Sequence, residues 1–167
     1  MEHYSNTKLR AYLKYEDRLA VLGLNGRRLF GVPDAVTELS ETEKLVLDLN
    51  NLTELPASIS KLKNLIVLKL DKNKITELPA EIGDLRELRE LRVSNNQLVG
   101  LPTSIQRLTK LNWLYLDGNK LTELPAEISD LRELRELSVI RNSLTVDAVR
   151  RALKLRRKGV LVRGVVG

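Results

Sequence analysis

Leu78-Pro79-Ala80-Glu81-Ile82 is one of four copies of the motif Leu-Pro-x-x-Ile in this chain. The other three occupy residues 55–59, 101–105 and 124–128, so the motif recurs every 23 residues. A fixed period of this length is typical of repeat architectures, in which each unit packs only against its neighbours. Stacked units present one extended surface instead of closing around a pocket. The period therefore favours a binding protein over an enzyme.

Aliphatic residues recur in phase with this motif. One unit begins Leu65-x-x-Leu68-x-Leu70-x-x-Asn73-x-Ile75 and continues into the motif itself. Its Leu-x-Leu segment alternates apolar and polar residues, as a half-buried strand does. The same register predicts six repeats over residues 19–145. A further step of 23 residues from Leu137 and Val139 reaches Val160 and Val162, which predicts a seventh, capping strand with Leu161 pointing outward in the same column as Ser138.

Asparagine recurs at one position in five of the six repeats, and Arg27 replaces it in the first. The position follows the strand, where the chain has to turn. Stacked amides there can satisfy the backbone groups of adjacent turns inside the core. The sequence thus predicts a structural asparagine ladder, with the members Asn50, Asn73, Asn96, Asn119 and Asn142.

The combined pattern resembles the leucine-rich repeat family, in its 23-residue type with Leu-Pro-x-x-Ile on the outer side. Similar repeats occur in intracellular Ras-pathway scaffolds, plant intracellular relatives and short bacterial proteins. The resemblance implies an α/β repeat fold, a right-handed solenoid in the form of a horseshoe arc whose parallel sheet lines the concave side. It also implies helical caps at both ends and recognition of another protein.

Both ends of a stacked core need covering. Leu9, Tyr12 and Leu13 have helical spacing, so residues 1–18 are predicted to hold an N-terminal capping helix. Residues 146–167 are predicted to form a basic C-terminal cap, a helix plus a short strand. In that helix we expect Val149, Leu153 and Ala152 to face inward.

Composition limits the possible functions. Cysteine is absent, which excludes disulfide caps and thiolate chemistry, and the N-terminus lacks the apolar run of a signal peptide. We therefore expect a cytoplasmic protein, or alternatively one exported without a cleaved signal, such as a bacterial effector. The net charge of +6 is confined to residues 146–167, because residues 1–145 carry 21 basic and 21 acidic side chains.

Catalysis finds little support in the sequence. His3 is the single histidine, and no phosphate-binding glycine loop or dinucleotide motif is present. Asp48, Asp71 and Asp117 share one register position and could suggest a cation, but nearby Lys and Arg side chains make surface ion pairing the better interpretation. We expect no catalytic residue, no metal and no cofactor.

The outward strand positions are the candidate binding residues. Trp113 and Tyr115 fall on one central strand, beside Arg92 and Lys69, and these residue types are enriched at binding hot spots. The alternative is an aromatic pair that only covers its own repeats. Contributions at the edge of this site are expected from Lys44, Val67, Asp71, Glu90, Asp117 and Glu136.

The sequence therefore predicts a monomeric, non-enzymatic module that binds a protein partner through its concave face. Binding of nucleic acid or acidic lipid by the basic cap is an alternative, although no aromatic residues interleave with the charges. A consensus-like or engineered scaffold without its own partner is another. Residues 75–91 and 121–137 match at 15 of 17 positions, which permits that interpretation.

Overall fold

A computed structural model describes residues 20–165. It contains seven short parallel strands in one open sheet, and each strand pairs with the next in sequence. The strands are β1 Val21–Gly23, β2 Lys44–Val46, β3 Val67–Lys69, β4 Glu90–Arg92, β5 Trp113–Tyr115, β6 Glu136–Ser138 and β7 Leu161–Arg163. The architecture is an α/β solenoid.

Each strand has a buried central residue and two outward neighbours. Leu68 and Leu91, for example, are fully buried and lie opposite each other in the register of β3 and β4. The second leucine of each Leu-x-Leu segment is also buried, just beyond the strand, as Leu70 shows. The core is therefore a stack of aliphatic side chains behind the sheet.

The Leu-Pro-x-x-Ile motif closes the opposite side of each repeat through a short 3₁₀ helix. In the second copy the extended Pro79 precedes the helix, and its carbonyl accepts a hydrogen bond from the Ile82 N–H at 3.0 Å. Proline has no N–H to leave unpaired there, and Ile82 is fully buried. The helices are η1 Ala57–Lys61, η2 Ala80–Asp84, η3 Thr103–Arg107 and η4 Ala126–Asp130, and the first repeat has the α-helical turn α1 Asp34–Thr37 instead.

The turn position of five of the six repeats holds an asparagine amide that bonds to backbone groups of its own repeat and of the repeat before it. Asn96 Nδ2 donates to the carbonyls of Leu70 at 2.9 Å and Val93 at 3.2 Å, and its Oδ1 accepts from the Ile75 N–H at 2.9 Å. The other four asparagines make the equivalent bonds 23 residues apart. In the first repeat the backbone N–H of Arg27 donates to Asn50 Oδ1.

A left-handed backbone turn precedes each asparagine. Leu49, Lys72, Asn95 and Arg141 have φ of 56–58°, and Gly26 and Gly118 occupy the same register position. The N–H of Lys72 donates to the Ser94 carbonyl at 2.9 Å, and the N–H groups of Gly26, Leu49, Asn95 and Gly118 bond in the same way to the following repeat. These bonds extend the backbone hydrogen bonding between adjacent repeats beyond the three-residue strands.

The C-terminal cap consists of helix α2, Val146–Arg157, followed by β7. Thr145 caps the helix by accepting from the Ala148 N–H at 3.3 Å, and Gly159, at φ 88°, lies just beyond its end. The inward face differs from the predicted one. Ala148, Ala152 and Leu155 are buried, whereas Val149 and Leu153 are only partly buried. The three buried residues are four and three residues apart, which places them on one face of the helix. The predicted inward face did not include Leu155.

The predicted register of the last strand is wrong. Leu137 lies opposite Val162, 25 residues on, and Leu161 pairs with Glu136 instead of sharing the Ser138 position. The reason is that α2 replaces the proline arc, so the 23-residue step no longer holds in the cap. The predicted N-terminal capping helix, with Leu9, Tyr12 and Leu13, lies outside the described residues.

Candidate functional site

The parallel register aligns the outward side chains of the sheet in two columns. The first holds the residue before each buried strand residue: Val21, Lys44, Val67, Glu90, Trp113, Glu136 and Leu161. The second holds the residue after it: Gly23, Val46, Lys69, Arg92, Tyr115, Ser138 and Arg163. The central strand residues are buried, so both columns share the concave face. All ten predicted binding residues lie in these columns or just beyond the strands.

Arg92 occupies the centre of this face. Its Nε lies 2.8 Å from Asp71 Oδ2, and its Cζ lies 5.0 Å from the centroid of the Tyr115 ring. Glu90 is more distant, with 4.0 Å between Arg92 Nη1 and its Oε1. Burial opposes the shift, but the hydrogen bond and charge of Asp71 raise the pKa of Arg92 above its ordinary value. The guanidinium is thus charged and held in one orientation.

Charged contacts continue to both sides of Arg92. Lys69 Nζ lies 3.7 Å from Glu90 Oε1, and Arg163 Nε donates to Glu136 Oε1 at 2.7 Å. The Tyr115 hydroxyl donates to the other oxygen of Glu136 at 3.3 Å. Burial, followed by the charge of Glu136, raises the pKa of the Tyr115 phenol. The hydroxyl therefore remains a hydrogen-bond donor at neutral pH.

A third column consists of the residues that follow the second buried aliphatic residue of each repeat, and it includes Asp48, Asp71, Ser94 and Asp117. This acidic column has a backbone role that the sequence did not reveal. Asp48 Oδ1 accepts from the Asp71 N–H, and Asp71 Oδ1 accepts from the Ser94 N–H, both at 2.7 Å. Ser94 Oγ accepts from the Asp117 N–H at 3.2 Å, and Asp117 Oδ1 accepts from the Ile140 N–H at 2.8 Å. These bonds form a second ladder along the edge of the sheet. Recurrence of Asp at a fixed register, with Ser94 in the one gap, was the available signal.

Ion pairing explains only part of this column. Arg92 pairs with Asp71, but Asp117 takes its second bond from the Ser138 hydroxyl at 2.6 Å. No Lys or Arg of residues 20–165 comes within ion-pair distance of Asp48. Burial, with the neighbouring charge of Asp71, raises the pKa of the Asp48 carboxyl. The column is thus mainly a structural seam beside the candidate site.

Trp113 is half-buried on β5, between Glu90 of β4 and Glu136 of β6. Val67 and Lys44, also half-buried, continue the same column toward the N-terminal end. The structure therefore brings the aromatic pair, Arg92 and Lys69 together on adjacent strands. Lys44 lies three strands from Trp113, at the edge of this group.

Comparison with known proteins identifies the fold. The profile of the leucine-rich repeat region matches residues 67–161, more than half of the chain. The chain belongs to the leucine-rich repeat family. The solved structure of a leucine-rich repeat protein from Leptospira interrogans superimposes with a TM-score of 0.85 at 36% sequence identity, over 92% of this chain. This chain spans 38% of the length of that one.

The predicted family and fold class are therefore confirmed: this leucine-rich repeat protein is a right-handed solenoid with a parallel sheet on its concave side. In all, 358 chains of solved structures match it. No curated protein matches the sequence significantly. Leucine-rich repeat chains generally act in protein interaction and not in catalysis.

The basic helix of the leucine-rich repeat protein uses several of its charges internally. Arg151 Nη1 donates to Glu123 Oε2 at 2.9 Å and to the Leu124 carbonyl at 2.7 Å. Arg150 pairs with Asp147 on the helix itself. Arg156 and Lys158 donate to backbone carbonyls of neighbouring segments. The contacts of Arg151 and Lys158 fasten the cap to the last repeats, and all of these contacts leave fewer cations for an anionic surface.

One shallow cavity of about 280 Å³ lies away from the sheet, beside the proline arc. Its lining residues are Glu77, Leu78, Val99, Gly100, Leu101 and Pro102. Val99 and Gly100 replace the Thr-Glu pair that precedes Leu-Pro in the other three copies, so the side chain is lost at one position. This departure from the repeat could have indicated the cavity, but the sequence interpretation did not use it.

Residues 20–165 hold no cluster of three or more His, Asp or Glu side chains arranged for a metal ion. None of the helices in this part of the chain is long and apolar enough to cross a membrane.

Proposed function

We propose that this chain is a non-enzymatic recognition module that binds a protein partner through the concave face of its sheet. The centre of the site is Trp113, Tyr115, Arg92 and Lys69. Family membership supports protein binding in general. The observation that supports this particular face is the fixed cluster of Arg92 on Tyr115, next to the half-buried Trp113.

Such a cluster is suited to binding because little order is lost when a partner arrives. Arg92 is already held by Asp71 and by the aromatic ring, so a partner need not immobilise a flexible side chain. Trp, Tyr and Arg are also the residues that contribute most to binding energy at protein interfaces. We propose supporting roles at the margin for Lys44, Val67, Glu90 and Glu136, and an orienting role for Asp71 and Asp117.

The test is affinity capture of partners with the wild-type protein, followed by quantitative binding to each captured protein. Trp113→Ala should weaken binding by more than about 1 kcal/mol, because a central aromatic contact is lost. The control is Val99→Ala, which removes an exposed aliphatic side chain away from the sheet. Equal affinity of wild type and Trp113→Ala for a genuine partner would refute the concave-face proposal. Failure to capture any partner would favour the scaffold alternative.

The alternative of anionic-surface binding is not favoured by the contacts of α2. Lys154 and Arg157 make no ion pair within residues 20–165, but the other basic side chains of the helix bond internally. Two cations without an ion pair in this part of the chain are few for phosphate binding, which usually draws on several neutralised charges.

A further inference from the structure

Trp113 lies between two carboxylates on the concave face. Glu90 and Glu136 are its direct register partners on the adjacent strands, about 4.8 Å away in the pairing direction. All three side chains point to the same side of the sheet. An indole flanked by two acids is a suitable environment for a cation, because the ring face and both carboxylates attract positive charge.

The protein itself shows the geometry one column away. Arg92 lies over the Tyr115 ring at 5.0 Å, with Glu90 near its terminal nitrogens. Within residues 20–165, no Arg or Lys lies over Trp113, although tryptophan is the strongest aromatic acceptor of a cation. The stronger of the two aromatic positions is therefore the one without an internal cation.

The nearby cations are held in other places. The shortest contact of Arg92 is with Asp71, whose second oxygen is fixed by the Ser94 N–H. Arg163 bonds to Glu136 from the far side of β6. Lys69 lies two strands from Trp113 and approaches Glu90 only at 3.7 Å. None of them is positioned to cover the indole.

Glu90 retains capacity for another donor, whereas both oxygens of Glu136 already accept, one from Arg163 Nε at 2.7 Å and the other from the Tyr115 hydroxyl at a long 3.3 Å. Both contacts of Glu90 are to Oε1 and long, at 3.7 and 4.0 Å, and its Oε2 has no partner in the described part of the chain. The pKa of the Tyr115 phenol reflects the charges of the neighbouring side chains. Beyond the effect of burial, Glu136 and Glu90 raise its pKa, and the opposing effect of Arg92 is the smallest contribution. At the Tyr115 hydroxyl the two carboxylates thus outweigh the arginine.

We propose that Trp113, Glu90 and Glu136 form a site for an arginine side chain of the protein partner. A planar guanidinium can stack on the indole while its N–H groups point outward to the carboxylates on either side. The inference rests on the proposed function, since the concave face has to be the partner's binding surface. It adds the chemistry of the partner's central contact.

The test uses the fact that Trp113 is the single tryptophan of the chain. Its indole N–H gives one resonance, and its fluorescence reports on this site alone. The protein is titrated with N-acetyl-arginine amide and, separately, with N-acetyl-citrulline amide, which has nearly the same shape without the charge. We expect a saturable indole shift with the arginine probe, and an affinity at least about fivefold higher than that of the citrulline probe.

The variant for comparison is the double substitution Glu90→Gln/Glu136→Gln, which keeps the size and hydrogen-bonding ability of both side chains. It should abolish the preference for the charged probe. The matched control is Glu87→Gln/Glu133→Gln, which makes the same charge change three residues earlier in the same two repeats, before the strands begin. That control should leave the preference unchanged.

Equal responses of the wild-type protein to the two probes would overturn the arginine site, and this comparison does not depend on whether any variant folds. An unchanged preference in Glu90→Gln/Glu136→Gln would overturn it too. A partner that requires Trp113 but binds this double variant normally would refute the arginine contact and leave the proposed function standing. A partner that binds Trp113→Ala normally would refute the proposed function, and with it the assignment of the arginine to that partner.

Discussion

At the scale of single residues, Gly83 determines how closely two repeats approach. A Cβ at this position would lie 2.4 Å from the carbonyl oxygen of Ser104, far inside van der Waals contact. The other copies of the repeat carry Ser60, Gln106 and Ser129 here. Gly83 therefore allows η2 and η3 to pack against each other. The sequence showed that this position differs between the two duplicated blocks, but the reason is a contact with the following repeat.

Gly83→Ala should lower the free energy of unfolding by about 1–3 kcal/mol, because the added methyl group meets rigid backbone. Chemical denaturation followed by circular dichroism measures the change. Gly100→Ala is the matched control, since no atom lies within 4 Å of a Cβ built there. It should be neutral or slightly stabilising. Equal losses in the two variants would show that the contact with Ser104 does not limit packing.

At the scale of structural elements, two polar seams run along the solenoid. The asparagine seam was predicted because the same residue recurs in five repeats. The aspartate seam was not, because Ser94 and Ile140 interrupt it and the acids looked like ordinary surface charge. A hydroxyl and a carboxylate oxygen can both accept the backbone N–H at this position, at 3.2 and 2.7 Å respectively, so the function of the column persists where its residue type changes.

Asn96→Ala tests the asparagine seam at its centre. The Ile75 N–H would lose its acceptor, and the carbonyls of Leu70 and Val93 would lose a donor, inside the core. We expect a loss of at least about 2 kcal/mol, since each buried unsatisfied group costs about 1–3 kcal/mol. Asn142→Ala, at a less buried position near the cap, should cost less. Thermal or denaturant unfolding compares them, and a reversed order would contradict the role of burial in this ladder.

At the scale of the whole molecule, the periodic part of the fold could be predicted, and the strand register of the C-terminal cap could not. A 23-residue period fixes which side chains are buried between β1 and β6, so the columns of the candidate face follow from the sequence. In the cap, α2 takes the place of the arc, and the step from Leu137 to its partner Val162 becomes 25 residues. The pairings on the face, such as Arg92 with Asp71 and Tyr115, depend on side-chain rotamers that no period specifies.

Leu155→Ala tests how independent the end of the solenoid is. Leu155 is fully buried under the last repeats, so its truncation should cost about 2–5 kcal/mol. Because repeats contact only their neighbours, the loss should remain local. Hydrogen exchange should therefore accelerate in β6 and β7 well before β3 and β4. Leu153→Ala, on the partly buried side of the same helix, is the control and should have a smaller effect. Uniform acceleration throughout the sheet would indicate a single cooperative unit instead.

The order of the strands also determines how this molecule would respond to tension. Within residues 20–165, the sheet runs from β1 to β7 without any crossing of the order, so a force applied at its two ends passes through every interface in series. The weakest interface yields first while the others remain intact. Each 23-residue unit that detaches adds about 80 Å of contour length. Under load the solenoid would therefore lengthen in discrete steps. The strands of the concave face would separate one after another, beginning at the weakest interface between repeats.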